Sequence, residues 1–237
     1  MFLIVIVLGQ IIVPARAIFA KNKKAKNDIY HWGAIIFGKA LLLLGGIRVS
    51  VQGLENIPKG TAVILMPNHQ GHWDYPILFS LIPLRFAFVM KKELFKVPLL
   101  GSYWRRAGYF SIDREAGRSA LETLEKVIKA IKAGESVLVF PEGTRTWDGQ
   151  IGQFKRGAFM VAAQAHVPIV PIAISGSFEI MRRHSWLIKP GEVRVKVGPP
   201  LNFVINDETD KDELLKEIER VKSIIQVMFS SIEYKNG

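Results

Sequence analysis

An α/β fold is predicted: one mostly seven-stranded sheet flanked by helices, with an N-terminal two-helix membrane-associated hairpin. Three observations predict it. From residue 47 onward, short β-branched runs alternate with longer runs of helical periodicity. Several of the short runs are apolar throughout, the pattern of strands covered on both faces. Two oily stretches, residues 1–13 and 34–47, precede nearly all of this. At 237 residues, with no Ser/Gly linker, internal repeat or low-complexity tract, the chain divides into a hydrophobic two-helix anchoring motif over 1–46 and one α/β domain over 47–237.

Taken in order, the first element is residues 1–13, apolar except for Gly9 and Gln10 and closed by Pro14. The second, residues 34–47, is interrupted by Lys39. Crossing the hydrocarbon takes about 20 apolar residues at about 1.5 Å each. Runs of 13 or 14 residues reach about two-thirds of the way. The expectation is a helical hairpin dipping into one leaflet, with Lys21, Lys23, Lys24 and Lys26 at the headgroups. Two other readings stand beside it. One is a signal peptide ending at Ala15-Arg16-Ala17, although no basic residue precedes the apolar run. The other is a pair of ordinary core helices. A near-miss P-loop around Gly33, Gly38 and Lys39 lacks the Ser/Thr for magnesium and lies within an oily helix, so it is discarded.

Strands are expected at 47–51, 62–66, 85–89, 109–112, 136–140, 169–174 and 193–197. Helices are expected at 75–81, 116–133 (closed by Gly134), 155–165 and 210–232. Asp210-x-x-Glu213 reads as a capping box for the last of these.

Hydrophobic residues make up 49% and charged residues 22%, which excludes a disordered chain. Cysteine is absent, so a thiol nucleophile, a disulfide and Cys-ligated zinc are excluded. The net charge of +11 calls for a polyanionic partner, and ten of those eleven charges lie in residues 1–120, beside the oily segments. That pairing suits anionic lipid; a nucleic-acid binder has no need of it.

The densest polar cluster is Asn68-His69-Gln70-Gly71-His72-Trp73-Asp74, where an apolar strand gives way to a helix containing Pro76. Such strand ends are where α/β sheets place ligands. Five residues on a straight helix separate two side chains by about 140°. A turn at Gly71 followed by a helix start instead lets Asp74 fold back onto His69. A carboxylate on one imidazole nitrogen fixes the tautomer and leaves the other as a general base. The H-x-x-H-x-D spacing also permits a metal, without a fourth ligand nearby, and a His–Asp helix cap with no chemistry is a third reading.

A second cluster, Phe140-Pro141-Glu142-Gly143-Thr144-Arg145, also follows a strand. Gly143 would let backbone N–H groups approach an anion, Thr144 adds a hydroxyl and Arg145 a planar fork. Glu142 would repel a phosphate, so its expected job is bracing an Arg or a backbone turn. Gly108-Tyr109-Phe110-Ser111-Ile112-Asp113-Arg114 ends a further strand with another Arg, and Lys91-Lys92 follow the strand at 85–89. Taken singly, each Arg reads first as a surface ion-pair partner; their shared position at strand ends is what points to a joint site. No G-x-S-x-G elbow exists, and Ser177 lacks the flanking pattern of a nucleophile. Direct transfer to an activated hydroxyl is what remains.

The motif Asn68-His69-x4-Asp74 resembles the N-H-x4-D motif of the glycerolipid acyltransferases. Residues 108–114 resemble that family's second motif, 140–145 its third and Val167-Pro168-Ile169-Val170-Pro171 its fourth, in the expected order. Gly71 stands where a serine is usual, and the second motif's apolar spacing differs slightly. The resemblance implies transfer of an acyl group from acyl carrier protein or coenzyme A to the free glycerol hydroxyl of lysophosphatidic acid, giving phosphatidic acid. The acyl thioester is a co-substrate and no cofactor is implied. His69 would be the base and Asp74 its orienter. Arg114 and Arg145, with Lys91 as a weaker candidate, would hold the acceptor phosphate. Glu142 and Gly143 would shape that pocket, and Pro168 to Pro171 would lie near the acyl or acceptor channel. The implied place is the cytosolic face of the cytoplasmic (inner) membrane, entered from one side, with lipid and not nucleic acid as partner. Three rival readings are an acyltransferase for glycerol 3-phosphate or a lyso-aminolipid, a non-catalytic anionic-lipid-binding module and a metal-dependent phosphohydrolase.

Overall fold

The computed structural model describes residues 2–113, 117–182, 185, 187–203 and 211–233. Among these, seven strands form one sheet: β1 (Ile47–Gln52), β2 (Ile64–Pro67), β3 (Phe86–Lys91), β4 (Phe110–Ile112), β5 (Ser136–Leu138), β6 (Ile169–Ser175) and β7 (Gly191–Val197). The helices are α1 (Phe2–Ala17), α2 (Lys23–Leu44), α3 (Asp74–Leu81), α4 (Leu100–Arg106), α5 (Gly117–Lys132), α6 (Arg156–Ala165), α7 (Ser177–Ile180) and α8 (Lys211–Ile232).

Across the sheet the order is β1-β7-β6-β2-β5-β3-β4. From β6 to β4 all neighbours are parallel, whereas β7 runs antiparallel to β6 and carries β1 parallel to itself. Five C-terminal strand ends therefore meet at one edge. Burial follows position. Central β2 and β6 are buried at every residue, which is why they read as unbroken apolar runs. β1, at the margin, alternates between inside and outside. Pro171 is tolerated inside β6 because its backbone faces away from β2: its carbonyl accepts from Gly198 N, and the β7 ladder begins only at Ile172.

One core lies on the α1–α4 face, where Tyr30, Ala34, Ile77 and Phe79 pack against Phe86, Phe88 and Ile172. The opposite core joins Val127 of α5, Phe159 of α6 and Val221 and Ile225 of α8 to Ile64 and Ile169. Gly38 permits the close approach of α2 to α3, since a Cβ there would stand 2.8 Å from the Pro76 carbonyl oxygen. Arg85, just before β3, pairs with Asp28 of α2 at 3.2 Å and with Glu135 just before β5, tying the hairpin to the sheet.

Several expectations need correction. Helix α2 starts at Lys23, not at 34, with the Asn22 side chain accepting from Ala25 N at 2.8 Å. Three of the four lysines expected on a link between helices thus lie in the first turns of α2. Helix α1 runs through Pro14 to Ala17. Helices α4 and α7 were not anticipated; at seven and four residues they are too short to show a helical period. The proposed cap at Asp210 lies outside the described residues.

His31 of α2 is buried, edge-on to Phe79 and Phe86. Burial, and then the Arg85 charge, lowers its pKa to about 4. The unfolded chain, with an ordinary histidine near 6.5, takes up the proton first. The stability from burying a neutral ring is complete above about pH 6.5 and falls away as pH drops toward 4. His31→Leu is expected to flatten this loss, which is about 2 kcal/mol between pH 6.5 and 4.5 in the parent. Urea midpoints across that range test it; parallel curves for both proteins would contradict it.

Candidate active site

The site starts from Asn68, the residue after β2. Its side chain exchanges two hydrogen bonds with the Ile174 backbone, Nδ2 donating to the carbonyl at 3.0 Å and Oδ1 accepting from N at 2.7 Å. This mimic of strand pairing extends the β2–β6 ladder and fixes where the next residue, His69, leaves the sheet. The His69 backbone is held from both sides. Its N donates to Glu142 Oε1 at 2.7 Å and its carbonyl accepts from Thr146 N at 2.9 Å. The imidazole stacks on Phe140 with ring centroids 3.8 Å apart and meets Tyr75 edge-on.

Asp74 opens α3 and folds back over the turn at 70–73. Its Oδ2 lies 2.7 Å from His69 Nδ1 and also accepts from Gln70 N at 2.8 Å and Gly71 N at 2.9 Å. Its Oδ1 accepts from the Ser177 hydroxyl. Asp74 is fully buried and His69 nearly so. A carboxylate ringed by backbone donors, at a helix N-terminus, is an acceptor. The proton of the His69–Asp74 bond therefore sits on Nδ1, and Nε2 is left with its lone pair. Chemically this arrangement can take a proton from a hydroxyl brought to Nε2.

Glu142, after β5, braces the loop. Besides His69 N, it accepts from Gly152 N at 2.8 Å. Burial raises its pKa to about 7 against the pull of those two backbone donors. Gly143 takes a positive φ of 71°, and its N–H donates to the Phe140 carbonyl at 3.1 Å. Gly143's own N–H thus closes the turn and is not among the backbone groups open to an anion. Thr144 is exposed and Arg145 is half-buried, near enough to His72 for its charge to be felt there. His72 sits on the exposed rim, its pKa lowered by partial loss of water and then by the Arg145 charge. His72 does not join His69 and Asp74 in a ligand set. Among the described residues no three His, Cys, Asp or Glu side chains are grouped to hold a metal ion.

Lys91 lies at the end of β3, exposed and 3.5 Å from Glu93, while Lys92 pairs with Asp113 at 3.2 Å. Arg114 lies outside the described residues. Pro168 is level with the start of β2, its carbonyl accepting from Ile64 N, and Pro171 pairs with Met66. Residues 169–171 therefore occupy the first half of β6, before the stretch level with Asn68. The far end of β6 supplies Ser177. Thr146 was missed in the sequence, and so were the roles of Asn68, Gln70 and Ser177, whose partners lie up to 107 positions away. A serine just after an apolar strand was the available signal.

Gly71 has a packing reason: a Cβ there would press to 3.2 Å on the Ser177 carbonyl oxygen. Beside His72 and Tyr75 an apolar cavity of about 180 Å³ runs between α2, α3 and α4, past Phe37, Leu41 and Trp104. A second cavity, of about 450 Å³, lies beyond Gln70 and carries Asp148, Glu179, Glu192 and Glu233 against Lys189, a lining hostile to phosphate.

An acyltransferase family model matches residues 48–175. A 1-acyl-sn-glycerol-3-phosphate acyltransferase of Pseudomonas aeruginosa is 38% identical over 162 residues, 68% of this chain and 62% of that protein. A chloroplast protein of the same name from Brassica napus is 37% identical over 65% of this chain and 45% of its own length. The chain thus spans about half the length of the first curated relatives it matches. The crystal structure of a 1-acyl-sn-glycerophosphate (LPA) acyltransferase from Thermotoga maritima superposes with a TM-score of 0.79 at 28% identity, covering 93% of this chain and 87% of that one.

Proposed function

The chain belongs to the acyltransferase family, and from that premise we propose that it transfers an acyl group from a thioester to the sn-2 hydroxyl of lysophosphatidic acid, giving phosphatidic acid. The observation that carries the reading is His69 Nδ1 held 2.7 Å from buried Asp74, with Nε2 left as the base. The names of the Pseudomonas, Brassica and Thermotoga relatives support the choice of acceptor.

In this reading Nε2 takes the hydroxyl proton as the oxygen attacks the thioester carbonyl. The tetrahedral adduct then collapses, the C–S bond breaks, and the imidazolium returns its proton to the departing thiol. A positioned base contributes typically 10²–10⁴-fold, and orientation of the two substrates supplies much of the rest. Arg145, whose charge reaches His72 beside the His69–Asp74 turn, is the described cation assigned here to the acceptor phosphate, with Arg114 as a second candidate from sequence. The thiol carrier is acyl carrier protein or coenzyme A. Formation of phosphatidic acid from lysophosphatidic acid and either thioester, undiminished by chelator, tests the reading. His69→Ala is expected to abolish turnover, and Arg145→Ala to raise chiefly the KM for the phosphorylated acceptor. Full turnover by His69→Ala, or none by the parent with any donor, would refute it.

The apolar cavity beside Tyr75 takes a hydrocarbon tail and opens toward α2, the helix proposed to meet the bilayer. No described helix is long and apolar enough to cross a membrane. Ile18 and Phe19 are nonetheless exposed at the turn of the hairpin, next in sequence to exposed Lys21, Lys23 and Lys24, and Trp32 and Leu43 are exposed farther along α2. Apolar side chains beside cations suit the interface of an anionic leaflet, here the cytosolic face of the inner membrane. Flotation with vesicles containing phosphatidylglycerol checks this: Ile18→Lys with Phe19→Lys should lose most vesicle binding, and retained binding would count against the hairpin as anchor.

A further inference from the structure

We propose that Ser177 is a positioning residue for this reaction, its buried hydroxyl setting the plane of the Asp74 carboxylate and through it the direction of His69 Nε2. The proposal rests on the acyl-transfer reading only for its kinetic consequence; the geometry stands apart from it. Asp74 Oδ2 accepts from His69, Gln70 and Gly71, all within five residues on its own side of the loop. Three donors at one oxygen locate that oxygen. They leave the carboxylate rotation about Cβ–Cγ weakly defined, because that torsion has a broad minimum. The other oxygen, Oδ1, is taken by Ser177, 103 positions away on a separate element.

The contact is built into the backbone. Ser177 is completely buried. It follows Gly176, whose φ of +97° and a prospective Cβ 2.5 Å from the Glu192 carbonyl oxygen admit only glycine without distortion. On the other side, the absence of a side chain at Gly71 lets the Ser177 carbonyl approach. The end of β6 is thus clamped onto the His69–Asp74 turn from the strand next to β2. A hydroxyl has one proton, and here it goes to a charged acceptor, the stronger of the two bonds open to it; Gln70 Oε1 lies farther off, at 3.4 Å.

The test compares Ser177→Thr with Ser177→Val, which differ only in whether the hydroxyl is present, alongside Ser177→Ala. Steady-state acyl transfer to lysophosphatidic acid should show kcat about tenfold lower in the Val and Ala variants with little change in KM. The Thr variant should recover most of what Val loses. A destabilised fold with no positioning role would instead lower the active fraction in Thr and Val alike. If neither branched side chain fits the buried site, Ser177→Ala alone carries the comparison. An independent readout is the low-field imidazole N–H proton resonance of His69, recorded without substrate and identified by its loss in His69→Ala. It should be displaced or broadened in Ala and Val and kept in Thr. Wild-type kcat together with an unmoved resonance in Ser177→Ala would overturn the proposal. If the parent protein acylates no lysolipid, the functional reading fails while the resonance still decides the role of Ser177.

Discussion

One buried carboxylate organises the site. Asp74 has no contact with water, so its charge is sustained by the donors around it: two backbone N–H groups, an imidazole and a hydroxyl. Hydrogen bonds to a charged group are worth about 1.5–3 kcal/mol each, and losing one strands a buried charge. The turn at 70–73 can therefore hardly rearrange without breaking several such bonds at once. This is the sense in which the imidazole is preorganised: its partner cannot leave, and Phe140 stacks against its face.

The sheet places the parts. Parallel pairing of β6, β2 and β5 brings three strand ends to one edge, and each delivers one piece: Ser177, the His69 turn and Glu142. Glu142 and Asn68 do not face the reacting atoms in the proposed reaction. They fix the backbone of His69 and the exit of β2, so the side chain that matters inherits its position from the sheet. The hairpin joins the same construction. Tyr30, His31 and Gly38 bury α2 against α3 and β3, and the cavity beside Tyr75 is walled partly by α2. In the proposed reaction a tail drawn from a leaflet would thus run along the same helix that packs behind the His69–Asp74 turn.

Much of this was legible in the sequence, for physical reasons. The seven strands showed because β-branched runs at the centre and alternation at the margin are direct imprints of burial. The His69–Asp74 pair showed because Gly71 and the helix start at Asp74 leave the chain one economical way to fold. What did not show depended on distance along the chain or on shortness. Ser177 meets Asp74 across 103 positions, and nothing local at Ser177 announces its partner. Helix α4 has seven residues, less than two full periods beyond its first turn. The start of α2 was misplaced because its first ten residues bury polar groups, Asn27 and His31 among them, that read as a link between helices.

The central claim is that the Asp74 carboxylate sets the tautomer and direction of His69. Asparagine at 74 keeps the size but offers one acceptor oxygen and an amide donor. If the amide faces Nδ1, the imidazole proton must move to Nε2 and the base is lost. The most direct measurement is the kcat and KM of Asp74→Asn for lysophosphatidic acid in mixed micelles, on protein whose circular dichroism matches the parent. The account predicts kcat lower by about a hundredfold or more with KM little changed. Turnover by Asp74→Asn at the parent's rate would contradict it.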